Sequence, residues 1–484
     1  MESIWIKTSS QPDCGTLHGD YSTEAAVIGG GLAGILTGYF LQQNNVKTII
    51  IEADEIGHGQ TKNTTAKITS QHNLIYNKLL ENFGKKKAEQ YAMANQQAID
   101  QYRYIVSKEA GDCFFEELPA YLYSTNRQDI PVLEKEVRAA ERLGILSMFT
   151  ENTTLPFEVA GAVKFSNQAQ FHPLRFLEAI SKNLTVFEHT MAEKVEGNRI
   201  LTDKGIITAK HIIFATHFPF INAPGYYFAR MHQGRSYVLA VEGVPKIDGM
   251  YLGVEDTGLS FRSFNNVLLL GGGSHRTGEN SAGGKYKTLR EKASEFYPKG
   301  IEIGHWSAQD CMTLDGIPYI GQFSHSTPNW YVATGFGKWG MTGSMVSAMI
   351  ISDLIKGREN SYSELFSPLR FTPSSSVKNL TSNLGQAVKG ISRQALFISA
   401  TDLDDLPVGH GGIIKKEGEN IGVYKDENGR IYAVSTRCPH LGCQLEWNPD
   451  EKSWDCPCHG SRFDYKGNIL DNPAQINLET SKYE

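Results

Sequence analysis

The sequence has no long apolar run free of turn-forming residues. A membrane helix needs roughly 18 consecutive apolar residues, whereas the most apolar stretch, Ala25–Leu41, is interrupted by glycine. The opening residues, Met1–Asp20, are polar and lack the charged and then apolar order of a secretory leader. We therefore expect a cytoplasmic protein without an integral membrane segment.

The sequence also has no excess of basic residues. The 47 Lys and Arg residues are outnumbered by 53 Asp and Glu residues, which gives a net charge of −6. This balance excludes a typical nucleic-acid-binding protein, and no polybasic patch suggests a membrane surface. The length of 484 residues predicts about two to four domains.

Cysteine is sparse except near the C-terminus. The chain has 7 cysteines, and four of them lie between residues 438 and 458. In a cytoplasmic chain such a cluster indicates metal or redox chemistry rather than a disulfide scaffold.

A glycine-rich turn near the N-terminus predicts a dinucleotide site. Gly29–Gly34 fits G-x-G-x-x-G; it follows an apolar strand, Glu24–Gly29, and opens a helix that reaches about Gln42. A second strand, Val46–Glu52, ends in an acid that is expected to accept hydrogen bonds from the ribose hydroxyls. These elements predict a βαβ unit within a parallel sheet covered by helices. No second such motif is present for a nicotinamide domain, since Gly271–Ser274 is interpreted as a turn after a strand, and this favours FAD.

Periodicity predicts several further elements. Helices are expected at Tyr76–Lys108, Pro131–Leu143, Pro173–Asn183 and Gly343–Lys356, and strands at His211–Thr216, Tyr237–Val241, Val267–Leu270 and Trp330–Thr334. After Phe371 the composition changes, and we expect a linker at 372–394 with an amphipathic helix at Val377–Ile391. Short strands and turns follow from about Ala395. The predicted division is an oxidoreductase region at 1–371, with a substrate subdomain inserted at about 75–195 and 225–310, and a small domain at 395–484.

Four segments in order resemble the D-amino-acid oxidase-like flavin oxidoreductases, which include sarcosine, glycine and γ-glutamylputrescine oxidases. The segments are Gly29–Gly34, Gly57–Lys67, Asp315–Gly321 and Gly335–Thr342, and the resemblance covers about residues 22–360. It implies bound FAD and oxidation of a C–N bond of an amine or amino-acid-like substrate, with hydride passing to the flavin. The cofactor-binding residues that we assign are Gly29, Gly31, Leu32, Ala33, Gly34, Glu52, Ala53, Thr65, Ala66, Val195, Gly335, Gly337, Gly340, Met341 and Thr342.

One position departs from that family. Members that oxidise amino acids often carry Arg about five residues before the Asp-Gly pair, where it binds the substrate carboxylate, and this chain has Asp310 there. A cationic amine is therefore the favoured substrate, and the alternative is that Asp310 is a turn or salt-bridge residue. Arg262 and Lys338 are the other substrate-site candidates, and Arg235 could also serve a carboxylate. No catalytic base is identified.

Three histidines lie near the flavin segments of the sequence. His58, His72 and His217 could bind a phosphate, and His58 could attach the flavin covalently. The alternative for each of them is an ordinary loop histidine.

Near the C-terminus, a C-x-H motif is followed by a C-x-x-H motif. The four side chains are Cys438, His440, Cys456 and His459. Two Cys and two His can bind zinc, but this spacing matches the Rieske proteins, and the resemblance covers about residues 396–484. It implies a [2Fe–2S] cluster in which the two thiolates hold one iron and the two imidazoles hold the other. A cluster with a purely structural role is the further alternative.

The resemblance also assigns the residues around the cluster. Cys443 and Cys458 occupy the positions of the disulfide that joins the two loops in respiratory Rieske proteins; the alternative is two reduced thiols. Ser461 matches a serine that bonds a cluster sulfur. Phe463 stands where high-potential members often have Tyr, so we expect an intermediate potential.

Together the motifs predict an α/β and α+β FAD-binding Rossmann-like domain with a mixed-sheet substrate domain, followed by a small all-β Rieske domain. Electrons are expected to pass from substrate to FAD, then one at a time to the cluster and on to an external acceptor; reverse flow from a donor stays open. A Rieske oxygenase is disfavoured because no domain for a mononuclear iron follows the cluster motif, and a reductase because no nicotinamide site is visible. The remaining alternative is a redox sensor or partner-binding protein without turnover.

Overall fold

The structure is a computed structural model that describes residues 2–10, 14–370, 406–416 and 418–480. The strands, in chain order, are β1 Tyr21–Ile28, β2 Thr48–Ile51, β3 Lys67–Ile68, β4 Glu116–Ser124, β5 Ser147–Thr150, β6 Gly161–Gln170, β7 Thr185–Phe187, β8 Ala192–Glu196, β9 Arg199–Thr202, β10 Gly205–Phe214, β11 Met231–Glu242, β12 Met250–Gly253, β13 Ser260–Phe264, β14 Val267–Arg276, β15 Ile301–Thr313, β16 Tyr319–Ser324, β17 Thr327–Thr334, β18 Gly411–Lys416, β19 Glu419–Lys425, β20 Ile431–Ser435, β21 Glu446–Asn448, β22 Ser453–Asp455, β23 Arg462–Asp464 and β24 Ile469–Asp471. The helices are α1 Ile4–Lys7, α2 Leu32–Gln43, α3 Tyr76–Lys108, α4 Ile130–Arg142, α5 Pro173–Ser181, α6 Tyr227–Arg230, α7 Lys285–Phe296, α8 Gly340–Ile355 and α9 Ser363–Phe366. Among the described residues, no helix is both long and apolar enough to cross a membrane.

The first sheet contains the predicted βαβ unit. Its strand order is β16-β17-β10-β1-β2-β7, with β8 and β9 joined to the edge of β10. Strands β17, β10, β1, β2 and β7 run parallel, and their apolar residues are buried on both faces, as is usual for parallel sheets. Side chains of α2 and α8 pack into the same core as β1. This arrangement places the start of α2 and the start of α8 close to the carboxyl ends of β1 and β17.

The second sheet is mixed and larger. Its order is β15-β11-β14-β13-β12-β4-β6-β3, with β5 paired to β6. The long pairs β11–β15 and β11–β14 are antiparallel, whereas β12 and β4 are parallel. Its strands fall mostly within the predicted inserted ranges, but the domain bounds themselves stay a prediction.

One local interpretation is wrong. The segment Gly271–Ser274 was expected to be a turn, but it lies inside β14 and pairs with β11. Gly273 has a φ of 68°, and the pairing of β11 with β14 shifts register between Arg235 and Tyr237. Glycine therefore accommodates an irregularity in a continuing strand, as at a β-bulge, rather than ending the strand.

The C-terminal region is built from two small antiparallel sheets, β18-β19-β20 and β21-β22-β23-β24. Tyr424, Trp447 and Trp454 form a core together with the four cysteines of the region, Cys438, Cys443, Cys456 and Cys458. The expected all-β character is therefore present. The linker at 372–394 and the helix predicted at Val377–Ile391 lie outside the described residues.

The predicted helices that fall within the described residues are present with small shifts at their ends. Helix α3 has the predicted bounds, although Gly84 has a φ of 77° and kinks it. Helix α8 begins at Gly340 rather than Gly343. That earlier start matters for function because it brings the first turn of α8 to the wall of the cavity described next.

Candidate functional site

The glycine-rich turn after β1 is held by close backbone contacts. Gly29 has a φ of 111°, and a Cβ there would lie 2.5 Å from the Ala215 carbonyl oxygen. A Cβ on Gly34 would lie 1.8 Å from the Gly29 carbonyl oxygen. Glu52 accepts hydrogen bonds from the N–H groups of Gly30 at 2.6 Å and Asp54 at 3.0 Å. The side chain predicted to bind ribose therefore also fixes the turn.

A cavity of about 850 Å³ lies at the carboxyl ends of the parallel strands. This volume is within the range of cofactor and ligand pockets. Of the residues predicted for cofactor or substrate, those that line it are Gly29, Gly31, Leu32, Ala33, Glu52, Ala53, Asp310, Gly335, Gly337, Lys338, Gly340 and Met341. Segments from opposite ends of the oxidoreductase region thus meet around one space, at the start of α2, where N–H groups favour an anion such as a pyrophosphate.

The other predicted site residues lie outside the cavity lining. Gly34 packs under the turn, and the cavity lining does not include Thr65, Ala66, Val195 or Thr342. Arg262 is fully buried elsewhere, with hydrogen bonds to the carbonyl oxygens of Thr65, Ala66 and Phe171 and to Gln170. Its guanidinium therefore cross-links main chain, and Arg262 does not line the cavity.

Asp310 lies in the cavity wall at the end of β15. Burial raises the pKa of its carboxyl to about 6, opposed by the positive charges of Lys338 and Arg235. Lys338 also lines the cavity and donates to the Ser274 hydroxyl. Arg235 points away and pairs with Glu451, so it is committed to an ion pair instead of a substrate carboxylate.

The three candidate histidines take different places. His58 and His217 line the cavity. His72 is buried behind it, with one ring nitrogen 2.7 Å from the Tyr91 hydroxyl, and its ring stacks on Trp339 at 4.7 Å. His58 Nδ1 lies 3.2 Å from a Glu55 carboxylate oxygen. His72 therefore supports the wall, whereas the other two can reach a bound group.

The two cluster motifs form two loops of matching shape. Between β20 and β21, the N–H of Cys438 donates to the Cys443 carbonyl and that of Gly442 donates to the Cys438 carbonyl. Between β22 and β23, the N–H of Cys456 donates to the Ser461 carbonyl, and the N–H of Gly460 donates to the Cys456 carbonyl. Both glycines have positive φ, 78° and 83°, which explains why glycine ends each tight turn.

The donor groups of these loops converge and fit the cluster. The imidazole rings of His440 and His459 lie 4.9 Å apart, and burial lowers their pKa values to about 4 and about 3, so both rings are neutral. Their Nδ1 atoms are buried, and neither has a hydrogen-bond partner within the described part of the chain. Buried polar atoms are rarely left unpaired, so two orphaned nitrogens beside two thiols are the feature expected of metal ligands. The assignment of these four residues as ligands stays a prediction.

The remaining sulfurs are joined to each other. Cys443 and Cys458 form a disulfide with a Cα–Cα distance of 6.6 Å. The sulfurs of Cys443, Cys456 and Cys458 lie close together, but two of them are joined in this disulfide, so the three do not form a metal site. The Ser461 hydroxyl accepts the N–H of Ala474 at 3.0 Å, and its hydrogen bond to a cluster sulfur stays a prediction.

Comparison with known proteins gives two family matches. Residues 24–354 match the FAD dependent oxidoreductase family model. The chain belongs to the FAD dependent oxidoreductase family. Residues 398–482 match the Rieske [2Fe-2S] domain, so FAD and a [2Fe–2S] cluster are its cofactors and the predicted combination is confirmed.

One relative covers nearly the whole chain, and another covers a short part of it. A Rieske 2Fe-2S iron-sulfur protein of Bacillus subtilis, YhfW, is 37% identical over 99% of this chain and 98% of its own length. A cytochrome b6-f complex iron-sulfur subunit of Microcystis aeruginosa is 30% identical over 17% of this chain and 45% of its own length.

Solved structures share the fold of the FAD dependent oxidoreductase region. Glycine oxidase from Geobacillus kaustophilus has a TM-score of 0.62 and 17% identity, and the match covers 72% of this chain and 99% of that structure. L-Proline dehydrogenase from P. horikoshii has a TM-score of 0.60 and 16% identity, with 73% and 98% covered. At these identities the likeness establishes the fold, and the predicted fold class is confirmed.

The Rieske domain packs directly on the oxidoreductase region and forms part of the cavity wall. Residues between 469 and 477 line the cavity, and Gln475 donates to the Ala192 carbonyl. At the cluster end, His440 Nε2 lies 2.7 Å from the Asn222 side-chain oxygen. The ring of Phe228 meets the ring of His459 edge-on at 5.7 Å. The two cofactor sites therefore share one interface.

Buried charges hold that interface together. Arg235 of β11 makes two hydrogen bonds, at 2.7 and 2.6 Å, to the Glu451 carboxylate. Arg462 bonds to Glu451, Asp455 and Asp471, each at 2.9 Å. Burial by itself would raise the pKa of Glu451, but the two guanidinium groups outweigh it and hold that pKa at about 2. Charge-assisted pairs with all partners in place are among the stronger polar contacts.

Several residues that line this interface were not identified as functional from the sequence. Asn222, Gln233, Gln309 and the segment 469–477 belong to no motif, and amides carry no spacing signal that points to a partner in another domain. Their roles depend on which strands the fold brings together.

Proposed function

We propose that the protein oxidises a C–N bond of a cationic amine or amino-acid-like substrate in the cavity and delivers the electrons singly, through the Rieske domain, to an external acceptor. The observation that carries this proposal is the shared wall: residues 469–477 of the Rieske domain line the cavity. A cluster domain docked on that cavity by buried ion pairs is suited to electron transfer within one molecule.

Bound FAD supplies a two-electron acceptor for hydride from the substrate carbon, and the [2Fe–2S] cluster supplies a one-electron carrier. The protein's part is to bind and orient the substrate and to manage its protons. In the proposal the cavity, at about 850 Å³, takes the cofactor and a small substrate.

Asp310 has the properties needed to bind the ammonium group of the substrate and to accept its proton. With a pKa raised by burial to about 6, its carboxylate is mostly ionised at neutral pH. There it can pair with a cationic amine and accept a proton from it, which leaves the nitrogen lone pair free for oxidation. Below its pKa the carboxyl is neutral, and that attraction is lost.

The test compares Asp310→Asn with the wild type on a panel of alkylamines and zwitterionic amino acids. We expect KM for the favoured cationic amine to rise about tenfold, equivalent to about 1.4 kcal/mol, and the wild-type KM to fall as pH rises through about 6. Asp100→Asn is the matched control, because Asp100 is exposed, pairs with Arg103 and lies outside the cavity.

The pH profile of KM distinguishes a loss of substrate binding from a general loss of folding. In Asp310→Asn the dependence of KM on pH near 6 should disappear, whereas Asp100→Asn should keep it. Turnover of zwitterionic amino acids with a KM unaffected by Asp310→Asn would overturn the proposed cationic preference.

A further inference from the structure

One buried side chain contacts both the flavin cavity and the second cluster loop. Gln233 in β11 is 1% exposed, and its Nε2 donates to the carbonyl oxygens of His459 at 2.8 Å and Asn472 at 3.1 Å. Its Oε1 lies 3.0 Å from His217 Nε2 and accepts from Gln309 Nε2 at 2.6 Å. A side-chain amide has two donor hydrogens and two lone pairs, so this amide is fully used.

These partners fix the chemistry of His217. Only the NH2 group of Gln233 can face two carbonyl oxygens, so Oε1 must face His217, and the ring must donate from Nε2. Burial lowers the pKa of His217, which keeps the ring neutral and in that tautomer. His217 also has a φ of 65°, a left-handed conformation that non-glycine residues keep mainly where surrounding structure enforces it.

Gln309 completes the connection from the neighbouring strand. It lines the cavity, and its Nε2 also donates to the Gly460 carbonyl at 2.9 Å. A Cβ on Gly460 would lie 2.6 Å from Gln233 Cβ, so the cluster loop rests directly on this glutamine pair. Only a single layer of side chains separates the cavity wall from the loop that carries His459.

We propose that Gln233, supported by Gln309, electronically couples the flavin cavity to the Rieske cluster. The inference rests on the proposed function. Each transfer moves one electron from reduced FAD to the oxidised cluster, so the flavin loses one of its two electrons and the cluster gains it. The external acceptor takes that electron from the cluster before the second transfer completes the oxidation of the flavin. Gln233 is a positioning residue that acts through His217 and His459, because a continuous hydrogen-bonded path keeps the two sites in contact and polarised.

The experiment measures this step without substrate. FAD in the purified holoprotein is reduced by a light flash with a sacrificial donor, and cluster reduction is followed optically and by EPR. In Gln233→Met, a near-isosteric change, cluster reduction should slow about 10–100-fold, by analogy with the loss of activity that follows removal of outer hydrogen-bond partners at metal sites. Iron content, FAD content and the reduction potential of the cluster should match those of the wild type.

The matched control is Asn280→Leu. Asn280 is 5% exposed and bonds across the same interface to Asn448 at 3.0 Å and Asp450 at 2.9 Å, but it does not line the cavity. Its transfer rate should equal that of the wild type. Gln233→Asn, which keeps the amide but is shorter, should give an intermediate rate and serves if the Met variant does not fold.

The outcomes are distinguishable. A wild-type transfer rate in Gln233→Met or Gln233→Asn with both cofactors bound would overturn the inference alone. Equal slowing in Asn280→Leu would overturn it in favour of domain docking in general. If the wild-type cluster is not reduced after the flash, the proposed relay fails and the inference fails with it.

Discussion

The two cofactor sites are constructed in opposite ways. All predicted cluster ligands come from two short loops of one small domain, Cys438–Cys443 and Cys456–Ser461, and each loop is closed by its own backbone hydrogen bonds. The flavin cavity instead gathers segments from Gly29 to Asn477, including part of the Rieske domain. A local site depends on its own few residues, whereas an assembled site depends on contacts made far from it. Mutations in the two sites should therefore have separable effects.

The largest effect should come from a cluster ligand. Cys438→Ser removes a thiolate that iron needs, so the reduced-state EPR signal and the bound iron should be lost, while FAD absorbance is retained because Cys438 is not in the cavity wall. Cys14→Ser, at a cysteine outside both sites, should keep both signals. Loss of flavin together with iron would show that the two sites are not separable in this way.

The next effect concerns the buried interface. Glu451→Ala leaves the guanidinium groups of Arg235 and Arg462 without a shared carboxylate, and breaking such a buried pair costs about 3–5 kcal/mol in unfolding free energy. FAD occupancy should fall as well, because the wall at 469–477 loosens. The readouts are urea unfolding and flavin fluorescence.

Glu427→Ala is the control for this prediction. Glu427 pairs with Lys452 at the surface of the same domain, with its side chain 71% exposed, so its removal should change stability by about 1 kcal/mol or less. Similar losses in the two variants would argue that the buried network does not hold the domains together.

A smaller effect is expected from the disulfide between the loops. The bond closes a loop with a sequence separation of 15, and the double change Cys443→Ser with Cys458→Ser should lower stability of the Rieske domain by about 3 kcal/mol. Unfolding of the wild type with added reductant should approach the curve of the variant. No response to either treatment would favour reduced thiols in the native protein.

The last effect, spread over several pH units, is a gradual loosening in acid. The folded pKa of Glu451 is held near 2, below its ordinary value of 4.5, so its contribution is fully present above about pH 4.5 and is lost as pH falls toward 2. Over that window stability should fall by up to about 1.4 kcal/mol per pH unit. Acid titration of flavin release measures it, and Glu451→Gln should flatten the curve; an unchanged curve would contradict the assignment.

The local motifs were predictable because they act within a few residues of chain. Gly29–Gly34 forms the expected turn, the two cluster loops converge, and helix α3 keeps its predicted bounds. Gly271–Ser274 was mistaken for a turn because glycine in a turn and glycine at a strand irregularity look alike in sequence. The sequence could not indicate that the fold surrounds the guanidinium of Arg262 with backbone carbonyl oxygens.

The sequence by itself determined the two cofactors, because each is recognised by short motifs whose spacing is fixed by metal or phosphate geometry. The tertiary structure alone decided that the Rieske domain completes the flavin cavity, that Arg235 is committed to Glu451, and that Gln233 lies between the two sites. Those features arise from residues more than 200 positions apart, such as Gln233, whose side chain donates to the main-chain carbonyl of His459 across a separation of 226. Only packing of the folded domains brings them together, and no local pattern records it.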